Sequence, residues 1–248
     1  MKYKDYGIVI TGGGHGIGKG IIEEFVNEGA KVCFIDINEA YRKTLENDDV
    51  YFFLGDVSKQ DDLDMFVSFC KNKLQRIDIL INNACVSHKG ILSDCHYEDF
   101  QHTLSIGVVA PYYLSQSFKN DLTKQKGSII NIASSRAFQS EPDTESYSSA
   151  KGGIVSLTHA LSVSLSGNVR VNCIAPGWID VHDTDSFSKE DMSAIPVGRV
   201  GTPKDIAKMV SFLCSDDASF ITGETFIVDG GMNKRMIYHG DHGWEYHI

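Results

Sequence analysis

Short apolar runs rich in β-branched and aromatic residues alternate with longer stretches of helical periodicity along the whole chain. GIVIT (7–11), KVCFID (31–36), VYFFLG (50–55), IDILIN (77–82), GSIINIAS (127–134) and VRVNCIAP (169–176) read as buried strands, and TFIVDGG (225–231) as a seventh. Helical patterns fall near 17–29, 59–75, 97–120, 146–166 and 203–215. This alternation predicts a seven-stranded parallel sheet covered on both faces by helices, a doubly wound three-layer α/β fold with right-handed crossovers. One helix breaks its own pattern. LSIGVVAPYYLSQ (104–116) is apolar enough to be buried, yet it holds Gly107 and Pro111. In a helix interior these cost about 1 and about 3 kcal/mol against Ala. The carbonyl of residue 107 should also lose its ordinary i+4 donor, because residue 111 is proline.

Composition narrows the picture without changing it. No Pro/Gly/Ser linker, charge block or repeat divides the 248 residues, so a single domain (1–248) is expected, with a core over 6–231 and an extension over 232–248. A formal charge of −10 argues against nucleic acid and against an anionic membrane surface, since both reward clustered Lys and Arg. The longest uncharged stretch, 152–169, is rich in Ser and carries His159, so it is not read as a membrane span. MKYKDYG leads straight into the first strand without a signal-peptide pattern. Cysteines 33, 70, 85, 95, 173 and 214 are scattered, several of them in apolar runs. Free thiols in a reducing cytoplasm are the expectation.

The chemistry begins at TGGGHGIG (11–18), between the first strand and the first helix. Glycines there permit a tight turn and let backbone N–H groups approach a pyrophosphate at the helix N-terminus. That places a Rossmann-type dinucleotide site, with Gly12, His15, Gly16, Ile17 and Gly18 as candidate contacts. Asp36 ends the second strand, where a carboxylate accepts from the ribose hydroxyls of NAD and repels the 2′-phosphate of NADP. Neither His15 nor Ile37 offers a cation to offset that repulsion, so NAD is the expected cofactor. Further on, Tyr147 and Lys151 stand four apart on one helix face. A phenol titrates near 10 and is a poor acid–base group at neutral pH, but an ammonium one turn away favours the phenolate.

TGGGHGIG, NNAC (82–85), Ser134, the Tyr147–Lys151 pair and PGW (176–178) together resemble the short-chain dehydrogenase/reductase family, over about residues 6–231. The resemblance implies that Tyr147 exchanges the proton with a substrate alcohol or carbonyl. It implies that Ser134 orients the same oxygen, and that Lys151 supports Tyr147 and holds the nicotinamide ribose. It also implies adenine contacts at Asp56 and Val57, and an adenosine-ribose neighbour at Asn83, with Asn82 structural. Pro176, Gly177 and Ile179 should flank the nicotinamide. The implied reaction is hydride transfer between NAD and a secondary alcohol or ketone, in a homodimer or homotetramer built on the helices at 97–120 and 146–166.

Three departures stand out: Cys85 in place of a motif glycine, Val181 where many members carry a cofactor-binding Thr, and Gly107 where the family has a catalytic Asn. The freed carbonyl of Gly107 is one candidate anchor for the water that the Asn helps to hold; a plain proline kink is the other account. A catalytically degenerate NAD-binding regulatory or scaffold protein therefore stays open, as does an epimerase or dehydratase on the same fold. Cys85, His88, Cys95 and His96 match no common zinc spacing, so no metal is expected. The polar segment at 181–199 has the composition of a lid, or of an ordinary surface excursion. The histidine-containing tail (238–248) is expected to pack on a neighbouring subunit or to be loosely ordered.

Overall fold

The computed structural model describes all residues except 44–46, 183, 185, 244 and 246–248, so part of the histidine-containing tail lies outside the described residues. Seven strands form one parallel sheet in the order β3-β2-β1-β4-β5-β6-β7. They are β1 (Gly7–Thr11), β2 (Lys31–Asp36), β3 (Val50–Leu54), β4 (Ile79–Asn82), β5 (Ser128–Ile132), β6 (Arg170–Pro176) and β7 (Thr225–Val228). The helices are α1 (Gly16–Asn27), α2 (Gln60–Lys73), α3 (Tyr97–Leu104), α4 (Ala110–Gln125), α5 (Glu145–Ser164), α6 (Lys189–Ala194) and α7 (Pro203–Cys214). The doubly wound Rossmann-type fold read from the sequence is the fold observed, with element ends shifted by a few residues.

Apolar residues occur at consecutive positions of the central strands because these are covered on both faces, whereas the edge strands β3 and β7, read from the sequence as buried, are mostly half-buried. Ile8, Ile10, Val32, Phe34, Ile79 and Ile81 face one way and pack with Ile21, Ile22 and Phe25 of α1 and Ile206, Val210 and Leu213 of α7. Val9, Cys33, Ile35, Leu80 and Ile129 face the other way, against Leu63 and Phe66 of α2 and Leu114, Phe118 and Leu122 of α4. The order reverses between β1 and β4, so the crevice beyond their carboxyl ends is where this architecture places a ligand.

The helix expected over 97–120 is interrupted by a widened turn. Ser105–Val109 forms a π turn between α3 and α4, and the Ala110 N–H reaches back five residues to the Ser105 carbonyl. Two features of the sequence account for it. Pro111 brings no N–H and a ring that crowds the carbonyl four residues earlier, and a wider turn relieves both. Gly107 also lets α5 come close: a Cβ there would stand 2.9 Å from Ala150 Cβ.

A buried amide chain ties the sheet to α5. Asn82 Nδ2 donates to Asn131 Oδ1 at 2.8 Å, and Asn131 Nδ2 donates to Thr158 Oγ1 at 2.8 Å. All three side chains are buried, which fits a structural role for Asn82. Asn131→Ala strands the donor of Asn82 and an acceptor of Thr158. We expect a loss of roughly 1–3 kcal/mol for these buried orphans, read as a lower midpoint in denaturant unfolding.

Candidate active site

The loop from β1 to α1 is shaped by backbone, not by side chains. Gly12 sits at φ +67°, and a Cβ on it would stand 3.0 Å from Ala84 Cα. A Cβ on Gly18 would lie 2.0 Å from the Gly12 carbonyl oxygen. Asn83 donates from Nδ2 to the carbonyls of Thr11 (3.1 Å) and Gly12 (2.8 Å), so its amide braces the loop from the side. Thr11 Oγ1 accepts the N–H groups of Asn83 and Ala84, both at 3.0 Å. His15 precedes α1 and stacks on Tyr41, ring centroids 5.4 Å apart. The first turn of α1 carries no acidic residue, which leaves its N-terminus open to an anion.

A cleft of about 800 Å³ opens over this loop, and its walls hold every residue singled out from the sequence as catalytic or cofactor-binding. From the first half come Gly12, His15, Gly16, Ile17, Gly18, Asp36, Asp56, Val57 and Asn83; from the second, Ser134, Tyr147, Lys151, Pro176, Gly177 and Ile179. Asp36 is nearly buried, with Oδ2 accepting the Gly14 N–H at 3.0 Å and Oδ1 the Asn38 N–H at 3.3 Å. At Asp56, burial pushes the carboxyl up, but the Ser58 N–H and O–H and the Lys59 ammonium outweigh it and hold it below the usual range. Val181 also lines the cleft, and a Cβ on Gly16 would meet its side chain at 3.0 Å.

Ser134 follows β5 and accepts the Arg136 N–H on Oγ at 3.2 Å. Tyr147 stands in the first turn of α5, with Lys151 one turn on. The Lys151 Nζ is 5.3 Å from the centre of the Tyr147 ring, and the Arg136 guanidinium is 5.9 Å from it. Lys151 is buried, and its Nζ donates to the Ile132 carbonyl at 2.8 Å. Burial pulls its pKa down, but Cys85, Tyr147 and Cys173 outweigh burial, so the net displacement is upward and the group stays an ammonium. The glycine cradle, the acid-free helix terminus and a cleft of this size fit a dinucleotide. Asp36 ends β2 and Ser134 follows β5, on either side of the point between β1 and β4 where the strand order reverses.

The family model described as enoyl-(acyl carrier protein) reductase matches residues 12–233. The chain belongs to the short-chain dehydrogenase/reductase family. An uncharacterised oxidoreductase of Thermotoga maritima is 41% identical, the match covering 93% of this chain and 96% of the relative. An apo SCOR enzyme from Clostridium thermocellum superposes with a TM-score of 0.94 at 58% identity, over 98% of this chain and 99% of the other. A 3-ketoacyl-(acyl-carrier-protein) reductase of Brucella melitensis, solved with NADH, superposes with a TM-score of 0.85 at 30% identity, over 93% and 99%. The protein is thus an oxidoreductase of this family, and a nicotinamide cofactor is its partner.

Some members of the cleft were not read as contacts from the sequence. His102 and Ile106, four apart across the α3 boundary, both line it, and so do Cys85 and His182. Helical spacing offered a signal for the first two. Cys85 stood out in the sequence as a departure from the NNAC motif's glycine, not as a member of the cleft. His88 Nε2 lies 3.2 Å from His102 Nδ1, and His88 Nδ1 lies 4.0 Å from Asp99 Oδ1. Cys95 Sγ points to the His96 carbonyl at 3.7 Å. Among the described residues, no group of three or more His, Cys, Asp or Glu side chains is arranged to hold a metal ion. Nor is any helix among them long and apolar enough to cross a membrane. The segment at 181–199 starts in the cleft wall and then folds into α6, anchored by the Val197 N–H on the Gly230 carbonyl at 3.0 Å.

Proposed function

We propose that the protein is an NAD-dependent oxidoreductase that interconverts a secondary alcohol and its ketone. The observation that carries this reading is the meeting of Ser134, Tyr147 and Lys151 with Asp36 in the lining of one cleft. Bound in the cleft, the nicotinamide supplies the hydride chemistry. The rest is the chain's own work. Tyr147 Oη takes the proton from the alcohol, or returns one to the ketone. Lys151, an ammonium held by the Ile132 carbonyl, stabilises the phenolate electrostatically and presents a further N–H to the nicotinamide ribose. Ser134 Oγ holds the substrate oxygen near Tyr147. The Gly107 carbonyl, denied its i+4 donor by Pro111, is the candidate anchor for a water that links Lys151 to solvent.

The preference for NAD rests on Asp36, which is anchored by two N–H groups and, among the described residues, has no cation as a hydrogen-bond partner. The NADH in the Brucella enzyme supports the same cofactor class. We read exposed Val109 and Tyr112 beside or on α4, and Val163 on α5, as part of a surface on which further copies pack into a dimer or tetramer. Six free thiols fit a reducing cytoplasm.

A panel of sugars, polyols, steroids and acyl ketones, scored by NADH fluorescence, tests the reading. NADH that accumulates in step with ketone supports it. Tight NAD binding with no turnover across the panel points to a degenerate binding protein, and product without net NADH to an epimerase or dehydratase. In Asp36→Ala, the ratio of kcat/KM with NADP to that with NAD should rise by about tenfold or more, because an uncompensated like-charge contact costs several kcal/mol. An unchanged ratio would remove Asp36 from cofactor choice.

A further inference from the structure

Two histidines outside the Ser134–Tyr147–Lys151 group are joined to each other, and one of them reaches the cleft. His102, in the last turn of α3, is part of its lining. The Nδ1 of His102 lies 3.2 Å from Nε2 of His88, on the loop after β4. His88 is fixed in turn: its carbonyl accepts the Ser146 hydroxyl at 3.2 Å, and its Nδ1 faces Asp99 Oδ1 at 4.0 Å. An imidazole offers two ring nitrogens for hydrogen bonding. With Nδ1 of His102 engaged by His88, Nε2 is the atom left for a ligand, and among the described residues it has no hydrogen-bond partner. The Asp99 carboxylate favours a proton on His88 Nδ1. We assign the pair accordingly: His88 Nε2 accepts the His102 Nδ1–H, and His102 Nε2 is an acceptor.

The surroundings of His102 belong to the Asp36 side of the cleft. Asp36 ends β2 and Asp56 follows β3, and both strands stand on the same side of the reversal between β1 and β4. A carboxylate at the end of β2 is where a dinucleotide's adenosine ribose is held. Ile106, one turn beyond His102, also lines the cleft. It packs in the same buried cluster as Ile35 and Val57, the sequence neighbours of Asp36 and Asp56. Asp56 senses His102 as well: burial raises its carboxyl, and His102 is among the neighbours that outweigh burial and hold it low.

We propose that His102 is a cofactor-binding residue whose Nε2 accepts a hydrogen bond from the adenosine half of the bound dinucleotide, and that His88 is a positioning residue that sets the His102 ring. The adenosine half supplies suitable donors in its amino group and ribose hydroxyls. The role rests on the reading of the cleft as a dinucleotide site. It does not depend on the choice between NAD and NADP, nor on which alcohol is oxidised.

The test is calorimetric titration with NAD and with ADP-ribose, which keeps the adenosine half and the pyrophosphate but lacks nicotinamide. His102→Leu should bind both ligands roughly 3- to 10-fold more weakly, the range of one lost hydrogen bond. His102→Gln should regain most of the loss, because its amide oxygen accepts. His88→Leu should show part of the same loss. The double variant should bind no more weakly than His102→Leu alone, since His88 acts through His102. Thermal unfolding checks that each variant is folded. Wild-type affinity for ADP-ribose in His102→Leu would overturn the proposal, and so would equal losses in the Leu and Gln variants. A loss confined to NAD would place His102 against the nicotinamide half instead, and additive losses in the double variant would remove His88 as a positioning residue. If the wild-type protein prefers NADP or oxidises no alcohol, the proposed function falls, while the ADP-ribose titrations still decide the role of His102.

Discussion

Tyr147→Phe should lower kcat by roughly 10²–10⁴-fold, the usual yield of a positioned proton-exchanging group, while NAD binds almost as it does to the wild-type protein. The substitution removes one oxygen and keeps the ring. Lys151 Nζ at 5.3 Å and the Arg136 guanidinium at 5.9 Å from the ring centre therefore keep the surface they pack on. The Lys151 hydrogen bond to Ile132 does not involve the phenol. A single-turnover assay separates the chemical step from product release, and calorimetry reports NAD affinity. A variant that turns over at the wild-type rate would remove Tyr147 from proton transfer. One that loses NAD affinity to the same extent as kcat would make it a binding residue.

The second large effect is expected far from that chemistry. Gly18→Ala adds one methyl group, 2.0 Å from the Gly12 carbonyl oxygen and 2.8 Å from Asn83 Nδ2. Neither neighbour yields easily. The carbonyl is backbone in a left-handed turn, and Asn83 Nδ2 is already bonded to that oxygen at 2.8 Å. The loop has to open, which pulls its N–H groups off the line on which a pyrophosphate would sit. Overpacking of this kind costs about 1–3 kcal/mol; carried wholly into binding, it weakens NAD roughly 5- to 150-fold. The measurement is an NAD titration of the folded variant, with a denaturant midpoint to apportion the cost between binding and stability. An unchanged NAD affinity would mean that the close packing of Gly18 on Gly12 is not what shapes the site.

These two positions differ in how they announced themselves. Gly18 belongs to a glycine string between a strand and a helix, and Tyr147 to a pair whose spacing places both members on one helix face. Local rules reach that far, because turn geometry and helical period depend on neighbours in sequence. They do not reach the Ile132 carbonyl as the partner of Lys151, which depends on how α5 packs beside β5. The same limit applies at Gly107 and Pro111. Their poor helix propensity was legible, and so was the loss of an i+4 donor at residue 107. That the chain answers with one widened turn, and that Gly107 there stands against Ala150 of α5, is seen only in the folded chain.

By itself, then, the sequence determined the alternation of strands and helices, the parallel sheet apolar on both faces, the glycine loop with Asp36 after it, and the Tyr147–Lys151 pair on one face of α5. All of these are periodic or local, and a chain expresses them before it is folded. Tertiary structure decided what those parts meet. It gathered side chains from the ends of β1, β2, β4, β5 and β6 and from the first turns of α5 into one cleft of about 800 Å³. It buried the Lys151 ammonium against the Ile132 carbonyl. A buried charge takes its partners from whatever surrounds it in space, and no spacing along the chain specifies them.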